Sequence, residues 1–510
     1  MAEEVTRTLW VGTALADLGG VDPSHRAILT AGPQIVWTGQ PEEAPTRDVT
    51  VDLGSAWLTP GFVDAHVHAT ATGMLELGLD LTAVGSAAEL LAHVRRHATA
   101  RAADATGVIY GAGWDDLTWP DGLPDPGALA EAAGGATVVL VRIDGHSCLV
   151  DQSTLARLDL RDVEHFVDRG ADGQPTGWLK EDATARAMQA LRAATSPAHL
   201  ARARAAAVDL ALRQGVTTIH EMGIPELSDR DDATCWATGT YDITVHTYWA
   251  DLSLDPEGVL RPGGDLFLDG SIGSCTAATT RPYRTSTGGQ TRGVLFHDDD
   301  TVAEFFITAT HAGRGAGVHA IGDRATAQAV RAISTAADVC GRSAVRAARH
   351  RVEHAEMISR GDIDRMADLG VVASLQPAFD AVWNGPGGLY EHRFGRPAAD
   401  QTNPFEWFDQ AGVAMCFSSD STVTPIDPWA GIRAAERHHG GLKITRRAAL
   451  HAATIGGHHV IGAEHEVGAL RPGMVADIVA WPVDPLTADL DQATPSPVAV
   501  ITRGRHRGVT

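Results

Sequence analysis

Short runs of apolar and β-branched residues alternate with alanine-rich helical stretches through the middle of the chain, and this alternation restricts the fold most. Eight runs have strand character, at 61–68, 137–142, 216–220, 265–269, 317–320, 351–354, 371–375 and 414–418. Helical patterns lie between them, at 86–103, 197–214, 301–313, 325–338 and 360–368. Eight strands interleaved with helices predict an α/β fold, a (β/α)₈ TIM barrel over residues 58–455. The stretch 70–215 is longer than two β/α units require, so we expect an insertion there.

The two ends of the chain have a different pattern. Residues 5–57 and 466–510 both contain short apolar runs separated by turn residues, which is typical of small β-structures. Because chain ends often lie close together, we expect segments 1–57 and 456–510 to pair into one β-domain.

Composition excludes several classes of partner and site. The 510-residue chain has a formal net charge of −23, which argues against nucleic acid or an anionic membrane as its main partner. Its five cysteines are scattered and never in CxxC spacing, so neither a disulfide framework nor a structural zinc cluster is expected. The N-terminal segment has no signal-peptide pattern, and no apolar run reaches the roughly 18 residues of a membrane span. We therefore expect a cytoplasmic protein whose main partner is neither nucleic acid nor a membrane.

The segment TPGFVDAHVH, residues 59–68, carries the strongest local signal for chemistry. Residues two apart on a strand point to the same side, so His66 and His68 can place two imidazoles on one metal ion. Three further polar residues follow apolar strands: His319, His354 and Asp420. In a barrel, polar groups at the C-terminal strand ends face the active site. The pattern predicts a centre for a divalent metal, with Zn²⁺ favoured by the imidazoles.

The motifs PGFVDAHVH, VHAIGDRA, RVEHAE and SSDS, in that order, resemble those of the amidohydrolase superfamily. In finer detail, GAGW at 111–114 and GALRPGMVADIV at 468–479 are similar to the N-substituted formamide deformylase-like branch, amidohydrolase family 3. The resemblance spans almost the whole chain. It implies a TIM barrel with a β-sandwich built from both termini, and it puts metal ligands at His66, His68, His319, His354 and Asp420.

One position departs from that branch, which usually has a lysine at the start of its fourth strand that bridges two metals when carbamylated. Asp265 stands there in this chain. Three outcomes are open: Asp265 bridges two metals after a backbone adjustment, it binds through water, or only one metal stays bound. Lys180 is a candidate substitute donor within the insertion.

The chemistry implied is hydrolysis of an amide or N-substituted formamide C–N bond by a metal-activated water. Asp420 would take the proton of that water and pass it to the leaving nitrogen, while His354 or His319 would bind metal or stabilise the oxyanion. Hydrolytic deamination of a heterocycle and a non-enzymatic relative on the same fold are the competing interpretations. Four residues are candidates for substrate contact: Trp114, His146, His220 and Tyr283. A homodimer is the expected assembly.

Overall fold

A computed structural model describes residues 5–16, 18–22, 24–100, 107–116, 119–142, 147–225, 227–285, 289–491 and 494–508. The chain divides into two compact units. The first consists of Met1–Val67, Asp209–Gly223 and Ala233–Thr510, and the second of His68–Val208 and Ile224–Asp232. Both units contain helices and strands.

Two four-stranded parallel sheets form the centre of the first unit. One contains β1 (Phe62–Val67), β2 (Val216–Gly223), β3 (Thr244–Trp249) and β4 (Arg261–Pro262), hydrogen-bonded in that order. The other contains β5 (Gly317–Ala320), β6 (Arg351–His354), β7 (Val372–Leu375) and β8 (Met415–Phe417), also in chain order. Isolated parallel bridges join Val67 to Ser421 and Phe267 to His319. Because the strands are parallel, β1, β5, β6 and β8 all end on one side.

Helices follow these strands as a β/α alternation requires. Their bounds in the first unit are Asp299–His311, Asp323–Cys340, Arg342–Ala348, Arg360–Leu369, Pro377–Trp383, Leu389–Phe394, Arg396–Ala399, Phe405–Ala411, Pro428–Arg437, Arg446–Ala452 and Ile455–Val460. Several begin at a polar N-cap: the side chains of Asp298, Ser359 and Asp427 accept hydrogen bonds from backbone N–H groups of the first turn. A short strand pair, Tyr283–Arg284 with Gln290–Thr291, precedes β5.

Strands from both ends of the chain pair within the first unit. A five-stranded sheet has the order Ala14–Leu15, Trp57–Pro60, Ile478–Trp481, Ala499–Thr502 and Arg505–Arg507. A four-stranded sheet has the order Gln34–Gly39, Ala27–Ala31, Arg7–Val11 and Val49–Asp52, and a 3₁₀ turn spans Pro41–Glu43. Apolar side chains of both sheets share one buried cluster, which includes Trp10, Ile28, Leu58, Ile478 and Ile501. Burial of this cluster stabilises the pairing of the two ends.

The second unit is built on a six-stranded mixed sheet. Its order is Val167–Arg169, Pro175–Lys180, Ser147–Val150, Thr137–Arg142, Val108–Trp114 and Leu79–Asp80. Its helices are Ala69–Glu76, Ala87–Ala100, Pro126–Ala133, Gln152–Leu155 and Glu181–Ala194, with a 3₁₀ turn at Glu164–Phe166. Two more helices, Pro197–Arg213 and Arg230–Thr238, contain residues of both units. No helix of the described residues is long and apolar enough to span a membrane.

The eight-strand assignment made from the sequence needs two corrections. The run 137–142 is a strand, but it belongs to the six-stranded sheet of the second unit, and Thr244–Trp249 takes its place among the parallel strands. Periodicity identifies a strand but not the sheet that it joins, because pairing depends on contacts distant in the chain. The segment 265–269, which was also predicted to be a strand, takes part in β-pairing only through the isolated bridge at Phe267.

Candidate metal centre

His66, at the end of β1, is held by a buried ion pair. Its Nδ1 lies 2.9 Å from Oε2 of Glu353, and that carboxylate also binds the guanidinium of Arg351. Arg351 is anchored in turn by the carbonyl oxygen of Ala65 (2.6 Å) and the hydroxyl of Ser374 (2.6 Å). Because Glu353 contacts Nδ1 and fixes the ring, Nε2 is the nitrogen that faces the carboxylates of Asp265 and Asp420.

His354, at the end of β6, is oriented by an amide. Its Nδ1 donates to Oε1 of Gln376 (2.9 Å), whose Nε2 donates to the hydroxyl of Ser418 (2.9 Å). The other ring nitrogen, Nε2, lies 3.3 Å from Oδ1 of Asp265. His354 has a left-handed backbone, with φ of 68°. Non-glycine residues in this region carry strain and concentrate at functional sites.

Asp420 follows β8 and also has a left-handed backbone, with φ of 53°. Its backbone N–H donates to the carbonyl oxygen of His66 (2.9 Å), which ties the ends of β1 and β8 together. Its Oδ1 lies 3.4 Å from Nε2 of His66, and its Oδ2 lies 4.0 Å from Nδ1 of His354. The carboxylate is therefore within reach of both imidazoles.

Asp265 is brought to this cluster by a close backbone contact. Gly264 has φ of 80° and donates its N–H to the carbonyl oxygen of Gly317 (3.0 Å) at the start of β5. A side chain at Gly317 would collide with the Gly264 backbone, at 2.9 Å from its Cα, so the approach needs glycine. Asp265 Oδ1 then lies 3.1 Å from Nδ1 of His319 and 3.8 Å from Nε2 of His66.

These residues fit a divalent metal. Ligand atoms of His66, Asp265 and His354 all lie within 4.8 Å of one another, and all three residues are buried. Nε2 of His319 is buried and has no hydrogen-bond partner among the described residues. Imidazole nitrogens and carboxylate oxygens are the donors that zinc and related ions take in proteins.

The charges of the cluster favour a cation. Burial opposes protonation of His66, but the carboxylates of Asp420 and Asp265 outweigh it and raise the pKa of His66 well above its usual value. Burial would raise the pKa of Asp265, yet His66, with hydrogen bonds from His319 and His354, holds it well below its usual range. Ionised carboxylates beside imidazoles attract a divalent ion.

Three other polar residues have identifiable positions. His68 is buried directly after β1, where the second unit begins, and Asp269 accepts from the N–H groups of Ile321, Gly322 and Ala278 (3.0, 2.8 and 2.7 Å). His220, on β2, accepts from Arg351 (3.0 Å), and burial together with the Arg351 charge holds its pKa well below the usual value.

The remaining candidates have partners of their own. Trp114 is buried in the core of the second unit and donates to the Leu140 carbonyl oxygen (2.8 Å). Tyr283 donates to the carbonyl oxygen of Ala277 (3.0 Å). Lys180 lies in the second unit, where its Nζ is 3.3 Å from Asp168 and 4.0 Å from the centre of the Trp178 ring. His146 lies outside the described residues.

Sequence reasoning missed the residues that support the cluster. Glu353 precedes His354 and would point away from the site on an ideal strand, and the sequence patterns did not single out Arg351, Ser374 or Gln376. A signal was present in RVEH, residues 351–354, since a buried strand that carries Arg and Glu two positions apart needs an internal ion pair.

Residues 49–506 match the pattern described as the amidohydrolase family. The chain belongs to this family of hydrolases. Among its relatives, the Arabidopsis thaliana protein LONG AFTER FAR-RED 3 is 27% identical over 478 residues, which cover 84% of this chain and 78% of that protein.

Two solved structures resemble the amidohydrolase chain in fold. Both are described as uncharacterized metal-dependent hydrolases. The protein from Pyrococcus horikoshii OT3 has a TM-score of 0.77 at 22% identity, over 99% of this chain and 100% of that one. The protein from Pyrococcus furiosus has a TM-score of 0.75 at 23% identity, over 94% and 100%.

Proposed function

We propose that the protein hydrolyses a C–N bond of a small molecule, of the amide or N-substituted formamide type, at a centre formed by His66, His68, Asp265, His319, His354 and Asp420. The observation that carries the proposal is the buried convergence of His66, Asp265 and His354 beside Asp420. The likeness of the motifs to the formamide deformylase-like branch supports the choice of bond.

The ion at this centre is proposed to be Zn²⁺, one or two per chain. When bound, such an ion supplies Lewis acidity and makes a water molecule acidic enough to react near neutral pH. Glu353 and Gln376 fix the imidazoles of His66 and His354 through the ring nitrogens that face away from Asp265. Fixed ring orientation keeps the ligand set in place during turnover.

Asp420 is proposed to act as the acid and base of the reaction. An amine is a poor leaving group unless it is protonated, so hydrolysis needs a group that takes a proton from water and delivers it to nitrogen. The Asp420 carboxylate lies 3.4 Å from Nε2 of His66 and 4.0 Å from Nδ1 of His354, and the residue is 6% exposed, so few water molecules reach it.

Metal analysis and two variants test the proposal. We expect about one or two equivalents of metal per chain by elemental mass spectrometry, and loss of most of it in His66→Ala. Asp420→Asn should keep the fold and lower turnover by about 10²- to 10⁴-fold, as expected on losing a proton shuttle. The control is Glu304→Gln, an exposed residue of the helix Asp299–His311. Full metal content and activity in both site variants would contradict the proposed centre.

The choice of bond needs a separate assay. A panel of N-substituted formamides and amides, with amine release as the readout, tests the first function. Ammonia release from aminated heterocycles tests deamination, which the short reach of Asp265 favours because it suits a single metal. Release of ammonia would contradict hydrolysis of an amide or formamide bond and would indicate hydrolytic deamination of a heterocycle instead.

We also propose the architecture that the resemblance implies. The bridges Val67–Ser421 and Phe267–His319 support closure of β1 to β8 into one TIM barrel over residues 58–455, with an insertion around 70–215. The apolar cluster shared by the two terminal sheets supports a β-sandwich of 1–57 and 456–510. A cytoplasmic homodimer remains a prediction.

A further inference from the structure

A cleft of about 510 Å³ opens in the first unit at the end where its parallel strands begin. It is bordered by β3, β4 and the segments that lead into β5 and β6. His66, His354 and Asp420 lie at the opposite ends of their strands, so the cleft is separate from the candidate metal centre. Its size is typical of small-molecule sites.

Positive charge dominates the cleft. Arg261, Arg314 and Arg349 line it, and no Asp or Glu does so among the described residues. This contrasts with the net charge of −23 for the whole chain. Arg349 is neutralised by Glu464, through two contacts of 2.7 Å. Two cationic side chains therefore remain to be accounted for.

Neither of these two has a carboxylate hydrogen-bonded to it in the described part of the chain. The Arg261 guanidinium makes no hydrogen bond or ion pair with the described residues, and its carbon lies 5.9 Å from the centre of the Tyr248 ring. Arg314 donates to the backbone carbonyl oxygens of Asp255 and Leu260. The Asp255 carboxylate is itself occupied by the N–H groups of Val259 (2.6 Å) and Leu260 (3.0 Å).

The two guanidinium groups repel each other. Burial lowers the pKa of Arg314, the Asp255 carboxylate opposes this effect, and Arg261 lowers the pKa further. An anion bound between them would relieve this repulsion and accept their hydrogen bonds. Guanidinium groups form paired, charge-assisted hydrogen bonds with phosphate and carboxylate oxygens.

Two uncharged residues of β3, His246 and Thr247, also line the cleft. Thr247 is 3% exposed, and its hydroxyl has no hydrogen-bond partner among the described residues. Burial, with the charge of Arg261, lowers the pKa of His246 to about 3, so its imidazole is neutral at pH 7 and can donate one hydrogen bond. We propose that this cleft binds a small, multiply charged oxyanion that carries phosphate or carboxylate groups.

Calorimetric titration of the full chain with inorganic phosphate, glucose 6-phosphate and citrate tests the site. We expect at least one of them to bind with a Kd below about 1 mM, and Arg261→Gln to weaken it about tenfold or more, as loss of charge-assisted hydrogen bonds predicts. The matched control is Arg331→Gln, since Arg331 is half exposed, pairs with Asp299 and does not line the cleft. The affinity of the Arg331→Gln variant for the anion should equal that of the wild type.

Labelling of the unsubstituted protein with phenylglyoxal gives a second measurement. The arginine-directed reagent should modify Arg261 in the free protein, and the bound anion should protect it while Arg331 stays reactive. Binding at the candidate metal centre would leave Arg261 unprotected, so the two sites are distinguished.

The outcomes decide both the site and the ligand. Stronger binding of glucose 6-phosphate than of citrate assigns a phosphorylated ligand, and the reverse assigns a polycarboxylate. The proposal is overturned if no anion binds, or if none protects Arg261. Unchanged affinity in a folded Arg261→Gln also overturns it, and if that variant does not fold, the labelling result decides alone.

Discussion

At the residue scale, the two ring nitrogens of His66 have different roles. The ion pair of Arg351 and Glu353 orients the ring through one nitrogen, and the other nitrogen faces the candidate metal ligands. Glu353 touches Nδ1 of His66, while the Asp265 and Asp420 carboxylates face Nε2. A buried carboxylate that holds a histidine in this way affects metal affinity without contacting the metal.

Replacing Glu353 by Gln should therefore weaken metal binding. Gln keeps an acceptor for the His66 N–H but loses the charge, so we expect the metal dissociation constant to rise about 10- to 100-fold. Competition with a chromogenic chelator measures it, with Glu304→Gln as the control. A lower melting temperature with unchanged metal affinity would limit Glu353 to a structural role.

Asp265 is the residue at which the chain departs from its branch, and its removal tests whether it is a ligand. Its Oδ1 contacts His319 and His354 and lies near His66, so Asp265→Ala should lower the metal content per chain. Elemental mass spectrometry on protein purified without chelators gives the ratio. The same metal content as in Asp300→Ala, an exposed carboxylate of the same unit, would show that Asp265 only shapes the backbone.

Individual residues show which parts of the candidate site could be predicted from the sequence. The spacing of His66, and the strand ends at His354 and Asp420, were visible because apolar strands followed by polar residues have a simple pattern. The position of Glu353 beside His66 was not visible from the sequence, because the positive φ of His354 breaks the alternation of side chains expected for an ideal strand. His354 and Glu353 consequently both approach His66.

At the scale of elements, the five helical stretches predicted from the sequence correspond to helices of the structure, whereas the pairing of strands was not predicted. Predicted helices 197–214 and 360–368 differ by at most one residue at each end from Pro197–Arg213 and Arg360–Leu369, since their apolar periodicity and caps are local. The order of the sheets depends on contacts between distant segments. This is why 137–142 was assigned to the wrong sheet and β3 was overlooked.

A buried carboxylate in the terminal sheet gives an element-scale prediction. Asp477 accepts from the N–H of Arg503 (2.7 Å), and burial raises its pKa to about 6. Between about pH 4 and 6 the folded state binds more protons than the unfolded state, so Asp477 makes the free energy of unfolding fall as pH rises.

Asp477→Asn keeps the acceptor and removes the titration. We expect the variant to gain up to about 3 kcal/mol relative to the wild type between pH 4 and pH 7. Thermal unfolding across this range measures it, with exposed Asp338→Asn as the control. Identical pH profiles for Asp477→Asn and the wild type would mean that Asp477 titrates normally.

At the scale of the whole molecule, the proposed metal should contribute to stability. A ligand that binds only the folded state stabilises it by about 4 kcal/mol when its concentration is a thousand times its Kd. We therefore expect chelation to lower the melting temperature and added Zn²⁺ to restore it. Verified metal loss with no change in melting temperature would argue against a ligand set that joins the ends of β1, β6 and β8.

The left-handed backbone at His354 and Asp420 also bears on how relatives of this protein diverge. Asp, Asn, His and Gly tolerate that conformation, whereas β-branched residues do not. Substitution of either residue by Asn or Gly can therefore remove hydrolase activity while the backbone keeps the same conformation. We therefore expect a homologue with Asn or Gly at either position to keep the fold and to lack hydrolase activity.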